Sequence, residues 1–242
     1  MIKDLGIRIL VAALLASFFF LAGQKTSPPR PPDLAVADLD AFHRLYYDQQ
    51  KESWGNTYWL GVSLEKCPFD LHIYQEILYE TKPDVLIECG TDKGGSAYYF
   101  ASIFDLLGHG RLLTIDMKDF RQSPPHPRVV YFLGDSVSAE MVDKIKGSIR
   151  PGETVMVSLD SDHHMDHVLK ELKIYSAFVT LGNYLVVEDT NINGHPVLPD
   201  FGPGPAEAVD AFLARNSDFQ RDRTREKFGL TFFPGGYLKR IK

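Results

Sequence analysis

The residues best able to do chemistry in this chain stand at the ends of two apolar runs. One reads Val155-Met-Val-Ser-Leu-Asp160-Ser-Asp162-His163-His164, and the other, a helix length later, reads Tyr184-Leu-Val-Val-Glu188-Asp189-Thr190. Runs of Val and Leu that stop abruptly in carboxylates are how central parallel strands read when helices cover both faces. Open parallel sheets present functional groups at the carboxyl ends of their strands. Neighbouring strand ends lie only about 5 Å apart, so Asp160, Glu188 and Asp189 can share one ion. Unpaired they repel one another, which calls for a cation, a proton or basic partners. Oxygen-only ligands favour Mg²⁺ over zinc or copper. Asp162 is a weaker ligand candidate, because a turn has begun there. His163, three residues past Asp160, is placed to act as general base, its ordinary pKa being about 6.5. For His163, as for His164 and His167, a cap or a solvated helix face is the competing reading.

A third stretch, Glu88-Cys-Gly90-Thr-Asp-Lys-Gly94-Gly95-Ser96, forms the first strand-to-helix turn. Its glycines let backbone approach a ligand and leave helix N-terminal N–H groups free. The spacing is neither the G-x-G-x-x-G of a dinucleotide fold nor a P-loop. Glu88, two residues before Gly90, suits a ligand with a positive amine better than a pyrophosphate, which points to S-adenosylmethionine over NAD. Gly94 and Ser96 belong to the same proposed cofactor turn. Asp116 ends the second strand, where a carboxylate binds ribose hydroxyls or holds a turn. Asp135 and Ser136 end the third, where they contact an adenine or cap the next helix.

These residues need a sheet to position them, and from Asp84 onward apolar runs alternate with amphipathic stretches, the signature of successive β-α units. Strands are expected at Val85 to Cys89, Arg111 to Ile115, Arg128 to Leu133, Val155 to Leu159 and Tyr184 to Val187. Helices are expected at Ser96 to Leu107, stopped by Gly108, at Ala139 to Lys146, behind Val168, Leu172, Tyr175 and Val179, and at Ala206 to Arg215. Asn191 to Pro205 reads as a long loop. Gly229 to Phe233 and Tyr237 to Ile241, about Pro234-Gly-Gly236, read as a terminal hairpin. Residues 33–82 lack strand periodicity. Asp70 is expected to cap a helix carrying Leu71, Tyr74 and Leu78 and ended by Lys82-Pro83. The aromatic stretch 54–61 is either a layer packed on the core or a substrate-contacting cap.

With 242 residues and 44% hydrophobic content the chain can bury one good core. A net charge of -6 argues against a nucleic-acid partner and for small molecules. Cys67 and Cys89 make no disulfide framework or zinc spacing. Ile9 to Ala22 is apolar, flanked by Lys3, Arg8 and Gln24, and precedes Pro28-Pro-Arg-Pro-Pro32. We read 1–24 as a signal or anchor, leaning to an anchor, 25–37 as a Pro-rich linker, and 38–242 as the catalytic domain, with 38–82 its N-terminal helical layer. The expected location is membrane-associated with the domain in the cytoplasm, a secreted form and an oligomer remaining open. A metal-dependent hydrolase or sugar-modifying enzyme and a tethered, non-catalytic binding protein are the alternatives that the carboxylate cluster leaves.

Trp59-Leu-Gly61, Tyr74-Gln-Glu76, Ile87-Glu88-Cys-Gly90-Thr with Gly94-Gly-Ser96, Leu159-Asp160-Ser-Asp162-His163, Val187-Glu188-Asp189-Thr190-Asn191, Gly202-Pro-Gly204-Pro205 and Pro234-Gly-Gly-Tyr237-Leu-Lys-Arg240 together resemble the cephalosporin hydroxylase and rhamnosyl O-methyltransferase family. The match runs from about Trp54 to Arg240. It implies an α/β fold, the doubly wound, mostly parallel seven-stranded sheet of class I S-adenosylmethionine-dependent methyltransferases, whose last strand is antiparallel. It also implies a divalent metal at Asp160, Glu188 and Asp189 and transfer to a hydroxyl of a small-molecule or glycosidic acceptor. Similar catechol-type enzymes carry a lysine base where this chain has His163. No two-His-one-carboxylate iron site is evident.

Overall fold

The computed structural model describes residues 36–242. In chain order these form α1 (Val36–Asp48), a 3-10 turn (Trp54–Asn56), the short strands β1 (Tyr58–Trp59) and β2 (Val62–Ser63), α2 (Pro68–Thr81), β3 (Val85–Cys89), α3 (Gly95–Leu107), β4 (Arg111–Asp116) and β5 (Val129–Leu133). They continue as α4 (Ala139–Gly147), β6 (Val155–Leu159), α5 (Met165–Tyr175), β7 (Tyr184–Val187), α6 (Pro205–Leu213), β8 (Phe219–Arg221) and β9 (Tyr237–Arg240). Seven strands make one sheet in the order β5-β4-β3-β6-β7-β9-β8. The first five run parallel, and β9 is antiparallel to both its neighbours.

The apolar runs sit in the middle of this sheet because helices cover both its faces. β3, β6 and β7 are buried at every position. Alternation along each strand divides the core: Leu86 and Met156 face α2 and α3, whereas Val85, Ile87 and Val157 face α4, α5 and α6. Register then aligns the strand ends. Leu133 pairs with Asp116, Ile115 with Cys89, Cys89 with Leu159, and Leu159 with Val187. Gly134, Asp116, Gly90, Asp160 and Glu188 therefore leave the sheet along one edge. The strand order reverses between β3 and β6, which is where open α/β sheets bind ligands.

Three expectations change at the ends of the chain. The terminal hairpin does not form: β9 pairs with β7 and with the three-residue β8, which is too short to show alternation in sequence. Residues 229–233 are apolar because they pack, since Leu230, Phe232 and Phe233 are buried. Phe232 has His43, Tyr47 and Trp54 around it at ring separations of 5.6, 5.4 and 5.5 Å. Strands β1 and β2 also form a small antiparallel pair where no strand was expected, turning through Leu60 and Gly61 at φ 46° and 87°. At α2 the N-cap is Cys67, with Pro68 in the first turn. Asp70 instead lies fully buried within that helix, accepting hydrogen bonds from the Phe232 N–H and the Tyr237 hydroxyl at 2.8 Å each, and from the Thr231 hydroxyl.

Residues 38–242 form one compact unit. The expected segment 1–24, and the linker as far as residue 35, lie outside the described residues. Among the described residues no helix is long and apolar enough to cross a membrane.

Burial pushes the Asp70 carboxyl up to about 7, against the three hydrogen bonds it accepts. Unfolded, it titrates near 4. The folded chain thus binds the extra proton between these values, and this group's contribution to stability falls as pH rises from about 4 to 7. Urea denaturation at both ends of that window should show a smaller fall for Asp70→Asn than for the unsubstituted protein; equal falls would remove Asp70 as the source.

Candidate active site

The glycine turn after β3 is shaped first by its own chain. Gly90 has φ 105°, and a Cβ there would lie 1.9 Å from the Asp160 carbonyl oxygen. A side chain at Gly94 would meet Ser123 Oγ at 2.5 Å, and one at Gly95 would meet the Ser63 carbonyl at 2.0 Å. Close approach was expected toward a ligand; here protein backbone and side chains fill the space, drawing the ends of β3 and β6 together. Asp116 holds the same turn, its Oδ2 accepting from the Thr91 and Asp92 N–H groups at 3.0 and 2.8 Å.

A cavity of about 440 Å³ opens beside this turn, lined by Gly90, Asp116, Gly134, Asp135, Ser136 and Asp160 among others. It brings together most of the residues expected to hold the cofactor. Glu88 lies outside it, buried beneath the turn: Oε2 accepts from Thr114 at 2.6 Å, Oε1 has no partner, and burial pushes the carboxyl up to about 7. Asp135 accepts from the Val137 N–H, while the cap of α4 is Ser138, whose side chain accepts from the Met141 N–H. Ser136 donates to the buried Glu171 at 2.6 Å, and Ser161 donates to the same oxygen at 2.7 Å. One carboxylate on α5 thereby fixes the ends of two strands.

A second cavity of about 370 Å³ adjoins the first and shares Gly90, Asp92, Asp160 and Ser161 with it. Ser96, His163, Asp189 and Trp54 line it. Trp54 packs on Phe232, as the core-layer reading expects, and also lines this cavity. The three expected ligands part company here. Glu188 side-chain exposure is 2%, against 23% for Asp160 and 24% for Asp189. Its Oε1 accepts from Tyr74 at 2.7 Å and Ser158 at 2.8 Å. Asp189 has φ 53°, a left-handed turn that Asp tolerates, and its carboxylate lies 3.2 Å from His163 Nε2. Ligand atoms of Asp160, His163 and Asp189 lie within 4.8 Å of one another.

Lys66 is the residue that sequence reasoning missed. Its ammonium is 2.6 Å from Asp160 Oδ2 and 2.5 Å from Glu188 Oε2, with only 6% of the side chain exposed. It comes from the loop before α2, in Ser63-Leu-Glu-Lys66-Cys-Pro68, which carries no periodicity or motif to mark it. Burial disfavours the charged amine, but Asp160 and Glu188 outweigh it and hold the Lys66 pKa well above its usual value. Burial raises all three carboxylates, with Lys66 opposing the rise at each. Burial likewise opposes charge on His163, yet Asp189, Asp160 and Glu188 leave it above its ordinary value. Tyr74 was expected on a buried helical face, and it is there, but its hydroxyl belongs to this cluster.

The profile of the rhamnosyl O-methyltransferase/CmcI family matches residues 51–241. A rhamnosyl O-methyltransferase of Mycobacterium tuberculosis is 40% identical, covering 98% of this chain and 94% of its own length. That of Mycobacterium leprae is 39% identical over 87% of this chain and 93% of its own. A solved CmcI structure with Mg and SAM has a TM-score of 0.61 at 19% identity and covers 78% of each chain. The fold is that of a class I S-adenosylmethionine-dependent methyltransferase, and the protein is an O-methyltransferase of that class. The chain belongs to the rhamnosyl O-methyltransferase/CmcI family.

Gly90→Ala joins a steric clash with backbone to an unfavourable positive φ, so it should cost about 3 kcal/mol or more. Chemical denaturation checks this, and a loss under about 1 kcal/mol would show that the β3 and β6 ends are free to part.

Proposed function

We propose that this protein transfers a methyl group from S-adenosylmethionine to a hydroxyl of a glycosidic acceptor, a deoxyhexose of the rhamnosyl type, with Mg²⁺ held by Asp160, Glu188 and Asp189. The observation that carries this is the pair of adjoining cavities, with Asp160 lining both and Asp189 with His163 lining the second. The name carried by the mycobacterial relatives, at 40% identity over nearly the full length, supports the sugar acceptor.

The first cavity suits the cofactor by size and lining. At about 440 Å³ it falls in the range of small-ligand sites. A carboxylate oxygen has more than one acceptor position. Asp116 and Asp135 can therefore hold their turns and still accept from ribose hydroxyls and an adenine amine, while Ile115 and Met117 offer apolar surface to the purine. The clustered carboxylate oxygens of Asp160 and Asp189 are hard donors that suit a divalent cation, with His163 close beside them. When bound, the cofactor supplies an electrophilic methyl group, and the cation supplies positive charge that lowers the acceptor hydroxyl's pKa.

The chain's own residues orient, desolvate and move a proton. Trp54 and Phe201 wall the second cavity and hold the acceptor against the shared wall at Gly90 and Asp160. Fixing donor and acceptor in one orientation accounts for much of the rate. In the tautomer that donates Nε2–H to Asp189, His163 presents Nδ1 as the proton acceptor, and Asp189 stabilises the imidazolium that results. The anchor expected at 1–24 belongs to this reading on sequence alone and would keep the domain close to a membrane-borne acceptor.

Transfer of labelled methyl to a rhamnoside should fall about 10²–10⁴-fold in His163→Ala. It should be lost in Asp189→Asn, with cofactor affinity by calorimetry within about threefold of the unsubstituted protein in both. Full turnover in Asp189→Asn would sink the metal role, and no heat with S-adenosylmethionine would sink the cofactor assignment.

A further inference from the structure

We propose that Lys66 is a tethered stand-in for the metal, which a divalent cation must displace in order to enter, so that metal affinity is set by competition with a side chain of the protein. This rests on the metal reading above and adds to it the step by which the site loads.

Lys66 Nζ bridges Asp160 Oδ2 and Glu188 Oε2 at 2.6 and 2.5 Å. A Mg²⁺ ion held by the same two oxygens would need about 2.1 Å to each, so it and the ammonium nitrogen could not both occupy that gap. Coulomb repulsion between them reinforces the steric conflict.

The lysine is also in the right place to be a counter-ion. Glu188 and Asp160 come from neighbouring strand ends, and Glu188 is buried with its other oxygen already bound by Tyr74 and Ser158. Desolvated carboxylates side by side are costly unless a positive group joins them. Asp70 and Glu88, each buried nearby, are carried on α2 and β3 and accept from hydroxyl or N–H donors, so neither competes for the Lys66 ammonium. Among the described residues, Lys66 is the one ammonium in contact with Asp160 and Glu188.

An exit exists as well. Lys66 lines the acceptor cavity, and its backbone belongs to the loop between β2 and α2, so a rotamer change can carry Nζ into that space without moving the sheet.

The test is calorimetric titration of Mg²⁺ and Mn²⁺ into the full chain, with Lys66 present and as Lys66→Met, which keeps length and removes charge. Lys66→Met should bind either ion at least about tenfold more tightly. Its metal-free form should melt lower than the unsubstituted protein and gain more on adding the ion. Affinity that is equal or weaker in Lys66→Met, while the unsubstituted protein binds, overturns the proposal and leaves the metal reading standing. No binding by either protein removes both; binding by Lys66→Met alone is the strongest support. Should Lys66→Met fail to fold, reductive methylation of the unsubstituted protein decides. Lys66, followed by mass spectrometry, should be modified several-fold faster with Mg²⁺ than without, and equal rates would overturn the displacement.

Discussion

Removing three carboxylates from water at the ends of two adjacent strands is the constraint that the rest of this structure answers to. The sheet register makes the placement unavoidable: with Leu159 paired to Val187, Asp160 and Glu188 emerge side by side. Glu188 is almost wholly desolvated. Tyr74, Ser158 and Lys66 converge on it from α2, β6 and the loop before α2, and each brings a donor. The N-terminal layer is thus more than a cover for one face of the sheet. It supplies the positive charge and one of the hydroxyls that make the strand ends tolerable, and so couples the docking of residues 38–82 to the geometry of the site.

The same reasoning explains why the two cavities differ in character. In the first cavity, the proposed cofactor side, carboxylates are satisfied by backbone: Asp116 and Asp135 accept N–H groups from the turns that follow β3 and β5. Carboxylates held in this way keep acceptor positions free, which suits recognition of neutral hydroxyls. In the second cavity, the proposed acceptor side, the carboxylates are satisfied by charged or chargeable side chains, an ammonium and an imidazole. Under the proposals above, those partners exchange for a metal or a proton. Asp160 stands on the boundary, and its backbone rather than its side chain touches the glycine turn.

How much of this could be read beforehand follows from where each signal resides. The central parallel strands were legible because burial on both faces selects apolar residues, leaving Val85–Cys89 and Val155–Leu159 as runs with one polar residue each, Glu88 and Ser158, and both of these belong to buried hydrogen-bond networks. The stop at Gly108 was legible because a left-handed cap selects glycine, and it sits at φ 65°. Residues 229–233 misled because apolar character reports burial and not pairing, and Phe232 is buried by His43, Tyr47 and Trp54 instead of by a neighbouring strand. Asp70 misled because a polar residue near a helix start is usually a cap, whereas here its partners are about 160 residues away. Lys66 was invisible for the same reason: its meaning lies in contacts to Asp160 and Glu188, 94 and 122 positions on.

Those misses share a cause that bears on the site itself. Local pattern encodes which residues enter the core, but the partner of a buried charge is chosen by the tertiary arrangement, and a desolvated charge must have one. Glu171 shows the consequence at the cofactor end. Helical spacing placed Val168, Leu172 and Tyr175 on the buried face of α5, and Glu171 shares that face with them, fully buried. Its Oε1 accepts from both Ser136 and Ser161, while Oε2 has no partner. A carboxylate kept at this cost between β5 and β6 locks the two strand ends that flank the first cavity, much as Lys66 locks the two that flank the second. The difference is that Glu171 holds neutral hydroxyls, whereas Lys66 holds carboxylates, for which a divalent cation is a competing partner under the proposal above. The fold thus places hydroxyl-to-carboxylate locks beside the first cavity and charge-to-charge contacts beside the second.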